Sequence, residues 1–162
     1  NWCRGFQKEE PGLWKTGFFW FPSTQIEIPV ENSTSKIDEN FSTDHLNAEQ
    51  NHICCGGGTE RAFTGIYWDC TKVGVYECVV CKSSLFSSET KFDSKSGWPS
   101  FFDSISTDSV KIVEDRSHGM IREETVCSNC GSHLGHRFPD GPHPTGLRYC
   151  INSASINLIE SK

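Results

Sequence analysis

From about residue 46 onward, short β-branched or alternating apolar runs recur between clusters of Gly, Pro, Asp and Ser. No stretch sustains the apolar stripe of a long helix. The runs "VGVYECVV", "VKIVED", "MIREETVC", "LRYCINS" and "INLIE" each suit a strand. "NAEQNHI" suits the end of a short helix, "GGGTERAFTG" a glycine-rich loop, and "DSKSGWPSFFDS" and "FPDGPHPTG" turns. A few helical turns are expected before Thr59 and near "PSFFDSI". The pattern predicts a mainly β fold, antiparallel β-sheets with long loops and few short helices. Residues 1–45 differ: an aromatic patch precedes polar, acidic sequence without sustained periodicity, in which "TQIEIPV" alone suits a strand. They read as a largely flexible N-terminal extension ahead of a domain over residues 46–162.

Charge and apolar run length narrow the partners. The formal net charge is −6 with no Lys/Arg run, so nucleic acid is not an expected partner. No apolar run approaches the roughly 20 residues that span a bilayer, so no membrane partner is expected either. A monomer in the cytoplasm is the default expectation, with mitochondria or another organelle as alternatives.

Nine cysteines stand in 162 residues. Four form Cys78-Val-Val-Cys81 and Cys127-Ser-Asn-Cys130, each just after a strand-like run. A C-x-x-C turn presents two sulfurs to one ion, and a second such turn completes a tetrahedral thiolate shell. This predicts a four-cysteine site for structural Zn2+ that clips two distant segments together. A dithiol redox motif and paired disulfides are the alternatives. The residues alone also admit a non-catalytic zinc-ribbon interaction module.

Cys150 stands by itself in "LRYCIN". On a strand, Arg148, Cys150 and Asn152 share one face, while Leu147, Tyr149 and Ile151 take the other. A guanidinium beside a thiol lowers its pKa, and the thiolate is the nucleophile. A buried, inert cysteine fits the same residues. His133 and His136 in "SHLGHRF" lie close together but are not needed by a metal that already has four cysteines.

"GTERAFTG", "YECVVCKSSLFSSETKFDSKSGWPSFFDSI" and "SHGMIREETVCSNCGSHLGHRFPDGPHPTGLRYCINSAS", in this order, resemble the peptide-methionine (R)-S-oxide reductases over roughly residues 46–160. The resemblance implies antiparallel sheets and a zinc held by Cys78, Cys81, Cys127 and Cys130. It implies Cys150 as nucleophile, with Trp98, His133, His136, Asp140, Arg148 and Asn152 around it. Trp98 would wall the substrate methyl group with its N–H still able to donate, and His136 or His133 would protonate the departing oxygen. The product on the enzyme would be a Cys150 sulfenic acid, with oxidised proteins or peptides as substrates and thioredoxin as reductant.

The chain departs from that pattern at Ser96, where many family members carry the cysteine that resolves the sulfenic acid. The candidates that remain are Cys54 or Cys55, because "CCGGG" suits a swinging loop, then Cys70, with direct attack of thioredoxin on the sulfenic acid as the alternative.

Overall fold

The computed structural model describes residues 36–162. "TQIEIPV" and the rest of the expected extension up to residue 35 lie outside the described residues. Residues 36–45 do not stand apart: Ile37 and Phe41 pack against the core, Asp38 N–H donates to Cys130 O (2.9 Å), and His45 Nε2 bonds Val79 O (2.9 Å).

One helix, α1 (Ala48–Cys54), follows. Asn47 and Gln50 form a reciprocal capping box at its start, and Ile53 and Cys54 are its buried residues. The strands are β1 (Gly74–Cys78), β2 (Ser84–Ser87), β3 (Lys91–Phe92), β4 (Ser100–Phe101), β5 (Val110–Asp115), β6 (Arg122–Cys127), β7 (His133–Phe138), β8 (Arg148–Ile151) and β9 (Ile156–Glu160). They build a three-stranded sheet, β2-β1-β9, and a six-stranded sheet, β3-β4-β8-β7-β6-β5, with every pair antiparallel. All five runs read as strands are strands. "PSFFDSI" is not a helical turn: Ser100 and Phe101 pair with Cys150 and Tyr149, and cross-strand pairing outcompetes a local turn there.

The core lies between the two sheets. Phe86 of β2 stacks on Phe101 of β4 (centroids 4.5 Å apart), Tyr76 of β1 meets the same ring edge-on at 5.1 Å, and Tyr149 of β8 tilts against Phe86 at 5.6 Å. Burying such aromatic side chains stabilises the fold by about 1.5–3 kcal/mol each. Tyr149 and Ile151 therefore fix which face of β8 is inward, and strand alternation sends Arg148 and Cys150 to the other face.

Candidate active site and metal centre

The register of the six-stranded sheet aligns Phe92, Ser100, Cys150, His136, Glu124 and Val113 in one row, each directly opposite the next on neighbouring strands. Directly opposed residues share a face, with Cβ atoms about 4.5–5.5 Å apart. Cys150 is thus flanked by the Ser100 hydroxyl on one side and the His136 imidazole on the other. Strands β7 and β8 approach closely here: a Cβ on Gly135 would lie 2.0 Å from Cys150 O, so only glycine allows the contact.

His133 and His136 are three positions apart and on a regular strand would face opposite ways. A β-bulge corrects the phase. Thr125 pairs with Gly135 but Val126 pairs with His133, so Leu134 is an extra residue on β7. His133 is returned to the Cys150 face, and the two rings meet edge-on at 5.5 Å. His133 Nδ1 and Glu124 Oε1 are hydrogen-bonded at 2.6 Å, and His133 Nε2 is buried without a partner. His136 Nε2 bonds Asp115 Oδ2 at 2.8 Å. Burial pushes the His136 pKa below its ordinary value, the Asp115 hydrogen bond opposes this, and the charge of Arg122 adds to it.

Arg148 and Asp140 form a bidentate pair, Nε to Oδ1 at 2.9 Å and Nη2 to Oδ2 at 3.1 Å, with the guanidinium 4.4 Å over the Phe138 ring. Arg148 does pull the Cys150 pKa down, as does a contact from Ser96 Oγ at 3.9 Å. Burial is the larger effect and leaves the thiol above the ordinary 9.0. The expectation of a resting thiolate is therefore corrected: the guanidinium moderates the cost of desolvation without overcoming it.

Two further expectations change. The Trp98 indole N–H is not free, because Nε1–H donates to Glu60 O at 3.1 Å. Asn152 lies beyond the end of β8, and its amide does not point at the thiol. Nδ2–H donates to Leu134 O (3.0 Å) and Oδ1 accepts from Glu60 N–H (3.0 Å), so Asn152 satisfies the bulge carbonyl. Both corrections converge on Glu60, a buried residue absent from the sequence reading. Its carboxylate accepts Ser153 N–H (2.8 Å) and Ala154 N–H (3.1 Å), tying the segment after Cys150 to the Trp98 loop. Asp115 and Glu124 were also missed. The signal for Glu60 was its place in the quoted "GTERAFTG"; the other two become visible only through strand register.

The candidate resolving thiols separate. Cys54 and Cys55 do not lie in a swinging loop: Cys54 closes α1 and Cys55 caps it. Burial pushes the Cys54 thiol up to about 11 and also raises that of Cys55. Cys70 lies in irregular chain and lines a cavity of about 360 Å³ with Lys91, Phe92 and Asp93. Phe92 belongs to the same cross-sheet row as Cys150.

The other four cysteines of the described residues come together. The sulfurs of Cys78, Cys81, Cys127 and Cys130 all lie within 4.8 Å of one another, with Cys78–Cys130 at 3.7 Å and Cys81–Cys127 at 3.6 Å. Zinc–sulfur bonds of about 2.3 Å in a tetrahedron require sulfurs about 3.8 Å apart, so the quartet fits such an ion. The two turns are alike. Lys82 N–H returns to Cys78 O and Gly131 N–H to Cys127 O (2.9 Å each), and the residue after each second cysteine is left-handed, Lys82 at φ 63 and Gly131 at φ 75. The thiols also conflict electrostatically. Hydrogen bonds from Cys130 and Cys78 pull the Cys127 thiol down, and the same contacts push Cys78 and Cys130 up. Four ionised sulfurs at this spacing need a cation.

Comparison with known proteins agrees with this geometry. A family model described as the SelR domain matches residues 46–160. The chain is 60% identical over 124 residues to the peptide methionine sulfoxide reductase MsrB of Saccharophagus degradans, covering 76% of this chain and 92% of that protein. It is 53% identical over 127 residues to the MsrB of Pseudomonas aeruginosa (77% and 96%) and 50% identical over 133 residues to that of Synechococcus sp. (82% and 94%). The matched segment contains the cysteine quartet and the whole row around Cys150, and the chain belongs to the SelR-domain, MsrB-type methionine sulfoxide reductase family.

Proposed function

We propose that this chain reduces methionine-(R)-sulfoxide in oxidised proteins and peptides through Cys150. The observation that carries this is the placement of one thiol between Ser100 and His136, beside Arg148, on the sheet face opposite the aromatic core. In the resting site the raised thiol pKa and the lowered imidazole pKa keep the proton on Cys150. When substrate binds, that proton passes to His136 and the sulfur attacks the sulfoxide sulfur. His136 returns the proton to the oxygen. The substrate S–O bond breaks as the hydroxyl passes to the Cys150 sulfur, and the S–S bond formed in the attack breaks in turn. Methionine leaves with its sulfur reduced by two electrons, and Cys150, oxidised by two, is left as a sulfenic acid. His136 is favoured over His133 for this transfer because it stands directly opposite Cys150. Asp140 orients Arg148, and the Trp98 ring walls the methyl pocket while Glu60 fixes its orientation.

Cys70 is the resolving thiol of this scheme. Ser96 contacts Cys150 but cannot form a disulfide, and Cys54 and Cys55 are held on a helix end. Movement of the loop around Cys70 would bring its sulfur to Cys150, and thioredoxin would then reduce the disulfide. Cys78, Cys81, Cys127 and Cys130 hold a structural Zn2+, which neutralises their thiolates and locks β1 to β6.

A stereospecific assay tests the function: the zinc-loaded protein with thioredoxin should reduce the R epimer of a dabsylated methionine sulfoxide and leave the S epimer unchanged. Equal rates on both epimers, or on neither, would reject it. A pure zinc-ribbon interaction module would show no turnover, and would leave the thiol–imidazole row without a role.

A further inference from the structure

The transfer proposed above routes one proton through His136, so which ring nitrogen carries it decides whether the site can work. Nε2 is committed to Asp115 Oδ2 at 2.8 Å. That carboxylate is itself held from two other directions: Ser117 N–H donates to Oδ1 at 2.9 Å and Arg122 Nη2–H donates to Oδ2 at 3.0 Å. Burial works against ionisation of Asp115, but the contacts from Ser117, His136 and Arg122 outweigh it and hold its carboxyl well below the usual carboxylate range. An ionised carboxylate only accepts, so Nε2 bears a hydrogen. Nδ1 makes no protein hydrogen bond among the described residues and is not a sealed, unpartnered atom of the kind His133 Nε2 is.

We propose that Asp115 is a positioning residue of the reductase: by accepting Nε2–H from His136, it presents a bare Nδ1 to the Cys150 thiol and orients the ring above it. The proposal rests on the function stated above and adds a residue to it. The same hairpin supplies carboxylate, counter-ion and turn. Asp115 ends β5, Arg122 begins β6 directly opposite it, and Ser117 lies between. Of the two ring nitrogens only Nδ1 is left able to take the sulfur-bound proton, and after transfer the imidazolium is stabilised by the Asp115 charge behind it, as in other carboxylate–histidine pairs. The charged and titratable groups around His136 are Asp115 of β5, Arg122 and Glu124 of β6, His133 of β7 and Cys150 of β8. Among the groups that shift its pKa, Asp115 favours the imidazolium, while Arg122 and His133 oppose it.

The test is nitrogen NMR of the zinc-loaded full chain labelled at histidine, combined with kinetics of Asp115→Asn and Asp115→Glu. In the unaltered protein, neutral His136 should appear as the Nε2–H tautomer. Asp115→Asn should lower kcat on the R sulfoxide roughly 10- to 100-fold with KM near that of the unaltered enzyme. Its acid limb should move to lower pH, because loss of the carboxylate makes His136 harder to protonate. Asp115→Glu should recover part of kcat. An Nδ1–H tautomer in the unaltered protein overturns the assignment even if Cys150 reduces the sulfoxide, and so does an Asp115→Asn enzyme with unchanged kcat and acid limb. The tautomer in the unaltered protein decides alone if the variants do not fold. A protein inert towards both epimers would overturn the function and the assignment together.

Discussion

At the quartet, four sulfurs face one another across gaps of 3.6 and 3.7 Å; at Cys150, one sulfur faces a hydroxyl, an imidazole and a guanidinium. Cys78, Cys127 and Cys150 sit on strands, and at each site neighbouring groups shift a thiol away from ordinary acidity, Cys127 down and Cys150 up. The difference is in what completes each set. The four sulfurs of the quartet surround one point and fit a single ion, which on the proposed reading leaves no coordination position for a substrate and holds β1 and β6 together. Among the described residues Cys150 has no sulfur partner, and the groups around it can accept, hold and return a proton. On the proposed reading the same element serves as a clip where thiolates saturate one another and as a reagent where a base stands opposite.

Substitutions should separate the two sites cleanly. The largest effect is expected from Cys127→Ser. A missing thiolate opens the shell, and structural zinc binding carries an apparent free energy of about 10–16 kcal/mol in small zinc peptides, so metal content and cooperative melting should both be lost. Zinc analysis and calorimetry check this; a variant that melts like the parent would show that the quartet is not a structural clip. Cys150→Ser should do the reverse. Turnover should fall on the order of 10⁴-fold or more, as when a nucleophile is removed, with zinc content and melting unchanged. Loss of zinc from that variant would break the comparison.

Glu60→Ala should affect both properties moderately. Its carboxylate accepts two backbone N–H groups, so about 1–3 kcal/mol of stability should be lost. KM should rise as Trp98 loses its orientation, which denaturation curves and steady-state kinetics would show together. The smallest effect belongs to Arg148→Ala. Burial pushes the Cys150 thiol above its ordinary value, so its alkylation rate should still be climbing with pH where an ordinary thiol has levelled off. Without the guanidinium the pKa should rise further and the whole profile should move to higher pH. A profile moved to lower pH would show that Arg148 does not stabilise the thiolate.

Some of this was legible in the sequence for a physical reason. The C-x-x-C pairs advertise a site because both ligands of each pair are local, and the alternation around Cys150 survives because Tyr149 and Ile151 bury large apolar groups on the opposite face. β7 was not legible as a strand, because the extra residue at Leu134 breaks the two-residue period in "HLGHRF". Glu60, Asp115 and Glu124 reach their partners from 92, 21 and 9 residues away in sequence, and no local pattern encodes that. The sign of the Cys150 shift was missed for a related reason: the arginine is a sequence neighbour, but the depth of burial that outweighs it is a property of the folded sheet.

The central claim is that the Cys150 sulfur takes the oxygen from the sulfoxide. One turnover of the zinc-loaded protein with the R epimer, without reductant and with a sulfenic-acid trap such as dimedone present, tests it most directly. Peptide mass analysis should find Cys150 either carrying the trap or paired with Cys70, the two forms together in proportion to the methionine released, and the trap on no cysteine of the quartet. Methionine released with Cys150 unmodified and unpaired, or the trap found on another cysteine instead, would contradict it.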